Sequence, residues 1–382
     1  MTAHALLSAS SSKRWLTCTP SARLEATLPE PKRSSHGVDF SAEGTLAHSL
    51  SEIRLKLHYN QITEEKYAEE YAEIQAHTIY KTYSPEEKLD FEANVDNYVL
   101  YVRSQIGEGD RPLFEQRIDY SEWAPDGFGT ADVVIISERS IRVIDLKFGK
   151  GIPVNAKDNS QLRLYGLGAW SKFKDEYPNV QNIQYTIHQP RLDAISTDET
   201  TIDKLLEWAQ YFVKPKAKKA WAGSGEFIPG DHCQFCKAKS QCRARADFNN
   251  ELAKLEFRDP PLLTDDELSE VLSKAQNLKS WVGDVEDYAL ERAIEKNIVP
   301  SGYQLSTTKT HRRIIDTNLA ATILKERNIP EKDLFEPPKL KSLAQLEKMN
   351  KNITNWLGDL VERPEGSPKL VKLKEDPKED FS

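Results

Sequence analysis

Nine residues, VIDLKFGKG from Val143 to Gly151, combine features that one strand does not easily hold. At the two-residue period of a strand, Ile144, Leu146 and Phe148 fall on one face and Val143, Asp145 and Lys147 on the other. The first face suits a core. The second sets an acid beside a lysine. That is either a surface ion pair on an edge strand, which stabilises little, or a catalytic pair. The neighbouring sequence has to separate the two.

Around this stretch the chain reads as α/β. Strands are expected at 112–120, 130–137 and 140–148, the last two joined by the short turn SERS. A helix is expected from Asn159 to Phe173, a fourth strand in IQYTIHQPRL, and a helix over 198–221. A meander of strands, then a helix, then another strand gives a mixed sheet with helices packed on it. Upstream, a short helix is expected from Ala9 to Cys18, and SAEGTLAHSLSEIRLKLHYN carries apolar residues at three- and four-residue steps. Residues 63–105 continue helical, with Ser84-Pro85 as a helix start. Downstream, helices are expected at 247–257, 264–296, 316–327 and 340–362, with a small hairpin or strand in SGYQLSTTKTHRRI. The chain thus divides into a domain over 1–250 with a helical insertion over 60–105, a mainly helical region over 251–362, and a mobile Pro- and charge-rich tail over 363–382.

Of the 382 residues, 38% are hydrophobic, enough for a substantial core. There is no run of about eighteen apolar residues to span a membrane, and no apolar stretch near the N-terminus to serve as a signal peptide. A soluble cytoplasmic protein is expected. The net charge of -8 argues against coating nucleic acid by bulk charge. Local basic runs remain: KPKAKKAW from Lys214 to Trp221, cations around the cysteines, and KTHRR from Lys309 to Arg313. Each is either a solvated face or a phosphate contact.

A catalytic reading of Asp145 needs a second acid on the next strand. Asp132, opening ADVVII, supplies it if the two strands pair as a hairpin. Glu115 in LFEQRI is a third acid, with Asp119 and Glu122 as nearby rivals. Carboxylates that converge repel one another unless a cation lies between them. Hard cations such as Mg2+ or Mn2+ favour oxygen ligands. Lys147, on the same strand face as Asp145, is placed to orient a water or to stabilise developing negative charge. Plainer readings stand beside these. His48 can be a half-buried helix residue paired with Glu52, and Gln161 and Tyr165 an ordinary i,i+4 helix face. Gly149 and Gly151 can serve a tight turn, and Lys150 can meet phosphate or solvent.

These residues together resemble the RecB-type branch of the PD-(D/E)xK nucleases. The signature acids and lysine are Asp132 and Asp145-Leu146-Lys147, the helical GTxxH motif is Gly44 to His48, and the QxxxY motif is Gln161 to Tyr165. The resemblance covers roughly residues 10–245, and the layout looks like phage-encoded members of the group. It implies a restriction-endonuclease-like core with a mainly helical C-terminal extension. It implies a metal-dependent DNA nuclease, an exonuclease more than an endonuclease, acting in recombination or DNA processing. By the same resemblance His48, Asp132, Asp145 and the Leu146 carbonyl hold Mg2+ or Mn2+, Glu115 joins them, and Gln161 and Tyr165 shape the site and face DNA, with Lys150 a further candidate for phosphate. A recombinase, single-strand-binding protein or helicase is an expected partner, and with no G-x4-G-K-[ST] ATPase motif any unwinding falls to a partner. The rival readings are a catalytically inert nucleic-acid-binding or assembly protein that keeps the fold, and a structural zinc protein with an accidental acid pair.

The chain has four cysteines, Cys18, Cys233, Cys236 and Cys242, the last three spaced C-x2-C-x5-C. A CxxC pair of this kind suggests zinc or an iron-sulfur cluster. One upstream and three downstream cysteines resemble the arrangement in AddB-type helicase-nucleases and in the iron-sulfur nucleases of CRISPR adaptation. That resemblance implies a [4Fe-4S] cluster, with Zn2+ as the alternative.

Overall fold

The computed structural model describes residues 5–29, 40–151, 153–253, 264–307, 312–336, 339–340, 342–350, 352–362 and 368–372. The chain forms two compact units, 1–277 and 278–382. The boundary lies inside the long helix Asp265–Lys296, later than the boundary at 250 read from the sequence.

The first unit begins with α1 (Ser12–Thr17), α2 (Ser21–Ala26) and the longer α3 (Phe40–His58). Next come α4 (Glu64–Ala76), α5 (Thr78–Thr82) and α6 (Pro85–Ser104). Ser84 opens α6 with a capping box to Glu87, and Pro85 occupies the first turn, as the sequence suggests. Three strands follow, β1 (Arg111–Asp119), β2 (Phe128–Ile136) and β3 (Ser140–Leu146), then α7 (Ser160–Phe173) and β4 (Asn182–Gln189). An edge strand β5 (Ala194–Thr201), then α8 (Ile202–Trp208), a π turn and α9 (Lys214–Ala222) complete the core elements.

The strands form one sheet in the order β1-β2-β3-β4-β5. β1, β2 and β3 are an antiparallel meander, β3 and β4 run parallel, and β5 returns antiparallel along β4. The parallel step requires a crossover, and α7 provides it. This is the α/β mixed sheet flanked by helices that the motif order predicts. The helix expected over 198–221 starts later, because β5 runs to Thr201. The run AISTDETT alternates half-buried and exposed residues along an edge, and its threonines suit a strand. Thr201 then accepts from the Lys204 N–H and starts α8.

Both faces of the sheet are buried. Val134, Ile136, Ile141, Val143, Ile183 and Tyr185 pack toward α7 and the N-terminal segment, in one core with Trp15 and Leu167. Val133, Ile135, Ile144, Leu146 and Phe148 pack with residues of α3 and α6, including Leu50, Phe91 and Tyr98, in a second. β3 therefore sits in the middle of the sheet between two cores. α7 lies so close to β1 that a Cβ on Gly168 would come within 2.5 Å of the Asp119 carbonyl oxygen.

In the second unit, Tyr303–Thr307 pairs with Pro368–Lys372 and Arg313–Ile314 with Val361–Glu362, all antiparallel. Of the hairpin or strand expected in SGYQLSTTKTHRRI, strand is what forms: two short strands, each with a distant partner, with residues 308–311 outside the described residues. The helix expected over 340–362 is broken into Leu343–Met349 and Ile353–Leu357, and Gly358 ends the second at a φ of 49°. Part of the expected tail is the strand Pro368–Lys372; residues 363–367 and 373–382, like 254–257 of the helix expected there, lie outside the described residues. Among the described residues, no helix is long and apolar enough to cross a membrane.

Candidate metal centre and cysteine site

The sheet register sets three acids side by side. Glu115 stands between the pairs Phe114–Val133 and Gln116–Ala131, opposite Asp132. Asp132 lies one step beyond the pair Val133–Ile144, opposite Asp145. The row is not regular sheet. Glu115 takes a φ of 47°, uncommon for a residue with a side chain. Across from it, Ala131 and Val134 belong to one core and Val133 to the other, so strict alternation fails next to Asp132. Strain of this kind concentrates at functional sites.

This irregular stretch meets α3. His48 Nδ1 lies 3.3 Å from Asp132 Oδ1 and 3.9 Å from Glu115 Oε1. One ligand atom from each of these three residues lies within 4.8 Å of the others, a spacing able to hold a metal ion. The second Asp132 oxygen accepts from the Leu146 N–H at 2.7 Å, just where the β2–β3 ladder ends. Glu52 is engaged by Lys56 rather than by His48, so the plain helix pairing does not form. Glu115, not Asp119 or Glu122, is the acid that joins the group. Asp119 caps the turn at Ser121 instead.

Asp145 is 2% exposed, which removes the surface ion-pair reading. Lys147 Nζ sits 2.9 Å from Asp145 Oδ2. That close contact pairs the buried carboxylate with the ammonium. Gln161 Nε2 donates to Asp145 Oδ1 at 3.0 Å, and Lys147 Nζ donates to Gln161 Oε1 at 3.3 Å. Gln161 therefore bridges the acid and the base. Its own place is set by Asn159, whose side chain caps α7 by accepting from the Gln161 and Leu162 N–H groups. Tyr165 OH lies 3.5 Å from Gln161 Nε2. Lys150 is exposed. Gly149 takes no left-handed φ, and a Cβ there or on Gly151 would meet nothing, so the tight-turn reason for these glycines does not hold.

The electrostatics follow from burial and crowding. Burial alone would lower the His48 imidazole, but Asp132, helped by Asp145 and Glu115, raises it to about 9. Burial raises Glu115 to about 7, with Asp132 adding to the rise and His48 opposing it. Burial also raises Asp145 against the pull of Lys147. Burial disfavours charge on Lys147, but Asp145 and Asp132 outweigh it and hold the ammonium charged. Excess carboxylate crowding of this type is relieved by a cation.

Several supporting residues carry no motif. Gly129 in β2 is required because a Cβ would press to 2.8 Å against the Tyr165 ring; a glycine inside a strand was the available signal. His188 packs against Tyr98 and Tyr101, and burial lowers it to about 4. Its carbonyl accepts from the Lys147 N–H at 2.9 Å. Glu43 at the start of α3 binds Arg191 at 2.6 Å and Tyr83 at 2.6 Å. Arg191 also lies over the Phe148 ring, which ties the His48 helix to the strand end.

The four cysteines are free thiols lining one cavity with Arg14, Lys239 and Arg245. Protein contacts clasp the N-terminal segment there. Glu25 binds Arg14 Nε at 2.7 Å and accepts from the Lys237 N–H at 2.8 Å, while Thr19 Oγ1 donates to the Ser224 carbonyl at 2.6 Å. Burial raises the Cys18 and Cys233 thiols, and burial with the nearby Glu25 raises Cys236 to about 12.

The fold and site define an α/β protein with an acidic, histidine-containing candidate metal centre. The chain belongs to the family described as "Protein of unknown function (DUF2800)", which matches residues 4–379. It is also similar to a solved structure titled "Crystal structure of SSO0001", at 14% identity and a TM-score of 0.23, covering 59% of this chain and 95% of that one. That score is too low to define a shared fold.

The proton bookkeeping at the centre is testable. A metal ligand must be deprotonated. With His48 near 9 and Glu115 near 7, a divalent cation displaces two protons below pH 7, one between 7 and 9, and none above. Mn2+ affinity measured by calorimetry is expected to rise from pH 6 to 9, about tenfold per unit for each proton displaced. In His48→Ala the proton released between pH 7 and 9 disappears. An affinity independent of pH contradicts the assignment. Conversely, the cation-free protein loses stability as pH rises. The Glu115 contribution falls between about 4.5 and 7 and the His48 contribution between about 6.5 and 9.

Proposed function

We propose that the protein is a metal-dependent deoxyribonuclease that hydrolyses phosphodiester bonds, acting more as an exonuclease than an endonuclease. The observation that carries this reading is the convergence of His48, Glu115 and Asp132 beside a lysine held by both Asp145 and Gln161. The donor set of one imidazole and carboxylates fits Mg2+ or Mn2+, and Asp145 is proposed to add a carboxylate oxygen. The Leu146 carbonyl is proposed as an additional ligand. Bound there, the ion would supply Lewis-acid charge to a phosphoryl oxygen.

The remaining chemistry belongs to the chain. Lys147 stays charged and is oriented by two partners, so its ammonium is ready to meet negative charge developing on a phosphate. Gln161 holds Lys147 at a fixed distance from Asp145 and limits the freedom of both. Tyr165 and the exposed Lys150 are proposed to meet the nucleic acid. Phage recombination or DNA processing in the cytoplasm is the setting proposed, with a recombinase, single-strand-binding protein or helicase as partner.

The cysteine cavity is proposed to hold a [4Fe-4S] cluster. Four free thiols with three cations around them suit a cluster whose thiolates carry net negative charge.

Two experiments test these assignments. End-labelled linear DNA incubated with Mn2+ or Mg2+ is expected to be digested by the purified chain. Asp132→Asn and Lys147→Ala are each expected to slow digestion by about a hundredfold or more. No cleavage of linear, circular or single-stranded DNA with binding intact would instead favour an inert binding protein. Protein purified without oxygen is expected to be brown with broad visible absorption, lost when Cys236→Ala is prepared in the same way. Colourless protein with stoichiometric zinc contradicts the cluster.

A further inference from the structure

The basic run KPKAKKAW plays no part in the acidic centre, yet it is built into an ordered surface. Ala209, Val213, Ala217 and Ala220 are fully buried, so this helical stretch already commits its apolar face to the core. Lys214, Lys218 and Lys219 face solvent and Lys216 is half-buried. No Asp or Glu occurs from Trp208 to Ala222. The stretch is therefore strongly positive in a chain whose net charge is -8.

Aromatic rings stand in the same strip. Pro215 has no N–H to give the Tyr211 carbonyl, and its ring crowds that turn. Residues Ala209–Val213 wind as a π turn, a form that recurs at functional sites. Just there Tyr211 is 77% exposed and Phe212 43% exposed. Trp208 stacks on Phe212 with centroids 6.4 Å apart and planes 20° from parallel. The Arg163 guanidinium covers Trp208 at 5.6 Å, and Lys216 Nζ covers Phe212 at 4.2 Å. The ladder Arg163–Trp208–Phe212–Lys216 holds the rings in place between cations and begins on α7, the helix that carries Gln161 and Tyr165.

We propose that the outward face of residues 208–219 binds single-stranded nucleic acid, its lysines following the phosphates and the exposed Tyr211 stacking on a base. Charge complementarity favours a polyanion, and exposed rings set among lysines favour one with unpaired bases. A membrane surface does not fit, because the apolar face such a helix would insert is already inside the protein. The proposal goes beyond the hydrolytic reading, since this surface needs no divalent cation.

The test is fluorescence anisotropy of the full chain with a labelled oligothymidylate of about twenty nucleotides, in EDTA so that cleavage cannot interfere. The wild type is expected to bind, with affinity falling steeply as salt rises. Changing Lys214, Lys216, Lys218 and Lys219 together to Gln is expected to weaken binding at least about tenfold and to lower the salt slope by about 0.7 for each phosphate no longer neutralised. Changing the same four to Arg is expected to retain binding. Tyr211→Ala is expected to weaken the single strand about tenfold and to leave duplex binding unchanged. Absence of oligothymidylate binding by the wild type overturns the proposal. So does binding unaffected by either set of changes, or tighter binding of polyglutamate than of oligothymidylate, which would mark an acidic-protein surface. Digestion in Mn2+ is read separately, so failure of this strip and failure of the nuclease reading are distinguishable.

Discussion

Three carboxylates in register across adjacent strands are the constraint around which the first unit is arranged. Like charges on neighbouring strands repel, and burial raises the cost of keeping each ionised. Glu115, Asp132 and Asp145 would disrupt the sheet without compensation. The fold supplies it from separate directions. His48 arrives on α3 from one side, Lys147 comes from the same strand as Asp145, and Gln161 arrives at the capped start of α7. Each compensating group depends on an element whose packing is otherwise ordinary, so helix placement and site geometry are one problem.

Much of this was legible because the chemistry is local in the sequence. Asp145 and Lys147 are two residues apart, Gln161 and Tyr165 one helical turn apart, and the strand pattern around them is strong. The order of elements then forces a mixed sheet with a helical crossover. Other features were not legible for physical reasons. The positive φ at Glu115 and the break in alternation at Asp132 are imposed by three-dimensional crowding, not by local preference. The charges in VIDLKF left a surface ion pair open because charge usually marks solvent, whereas both faces of β3 are covered. Only the end of edge strand β5, residues 198–201, falls in the expected helix, because all four of its side chains are polar and only a weak alternation marks the strand.

The two sites are joined through the N-terminal segment. Cys18 lies at the end of α1, and the clasp made by Arg14, Thr19 and Glu25 holds that region against residues near the downstream cysteines. The same helix reaches the acidic site, where Ser12 Oγ meets Ser160 Oγ at 2.7 Å in the first turn of α7. A segment remote in sequence thus supports both the cysteine cavity and the helix end that presents Gln161. Sequence spacing alone could pair Cys18 with the other cysteines but could not reveal this second contact.

The central claim is that a divalent cation belongs between His48, Glu115 and Asp132. Its most direct measurement is an anomalous difference map from crystals grown with Mn2+ and recorded at the manganese absorption edge. The account predicts a peak within coordination distance of all three residues, beside Asp145 and Lys147. A peak confined to another part of the molecule, or none at saturating Mn2+, would contradict it.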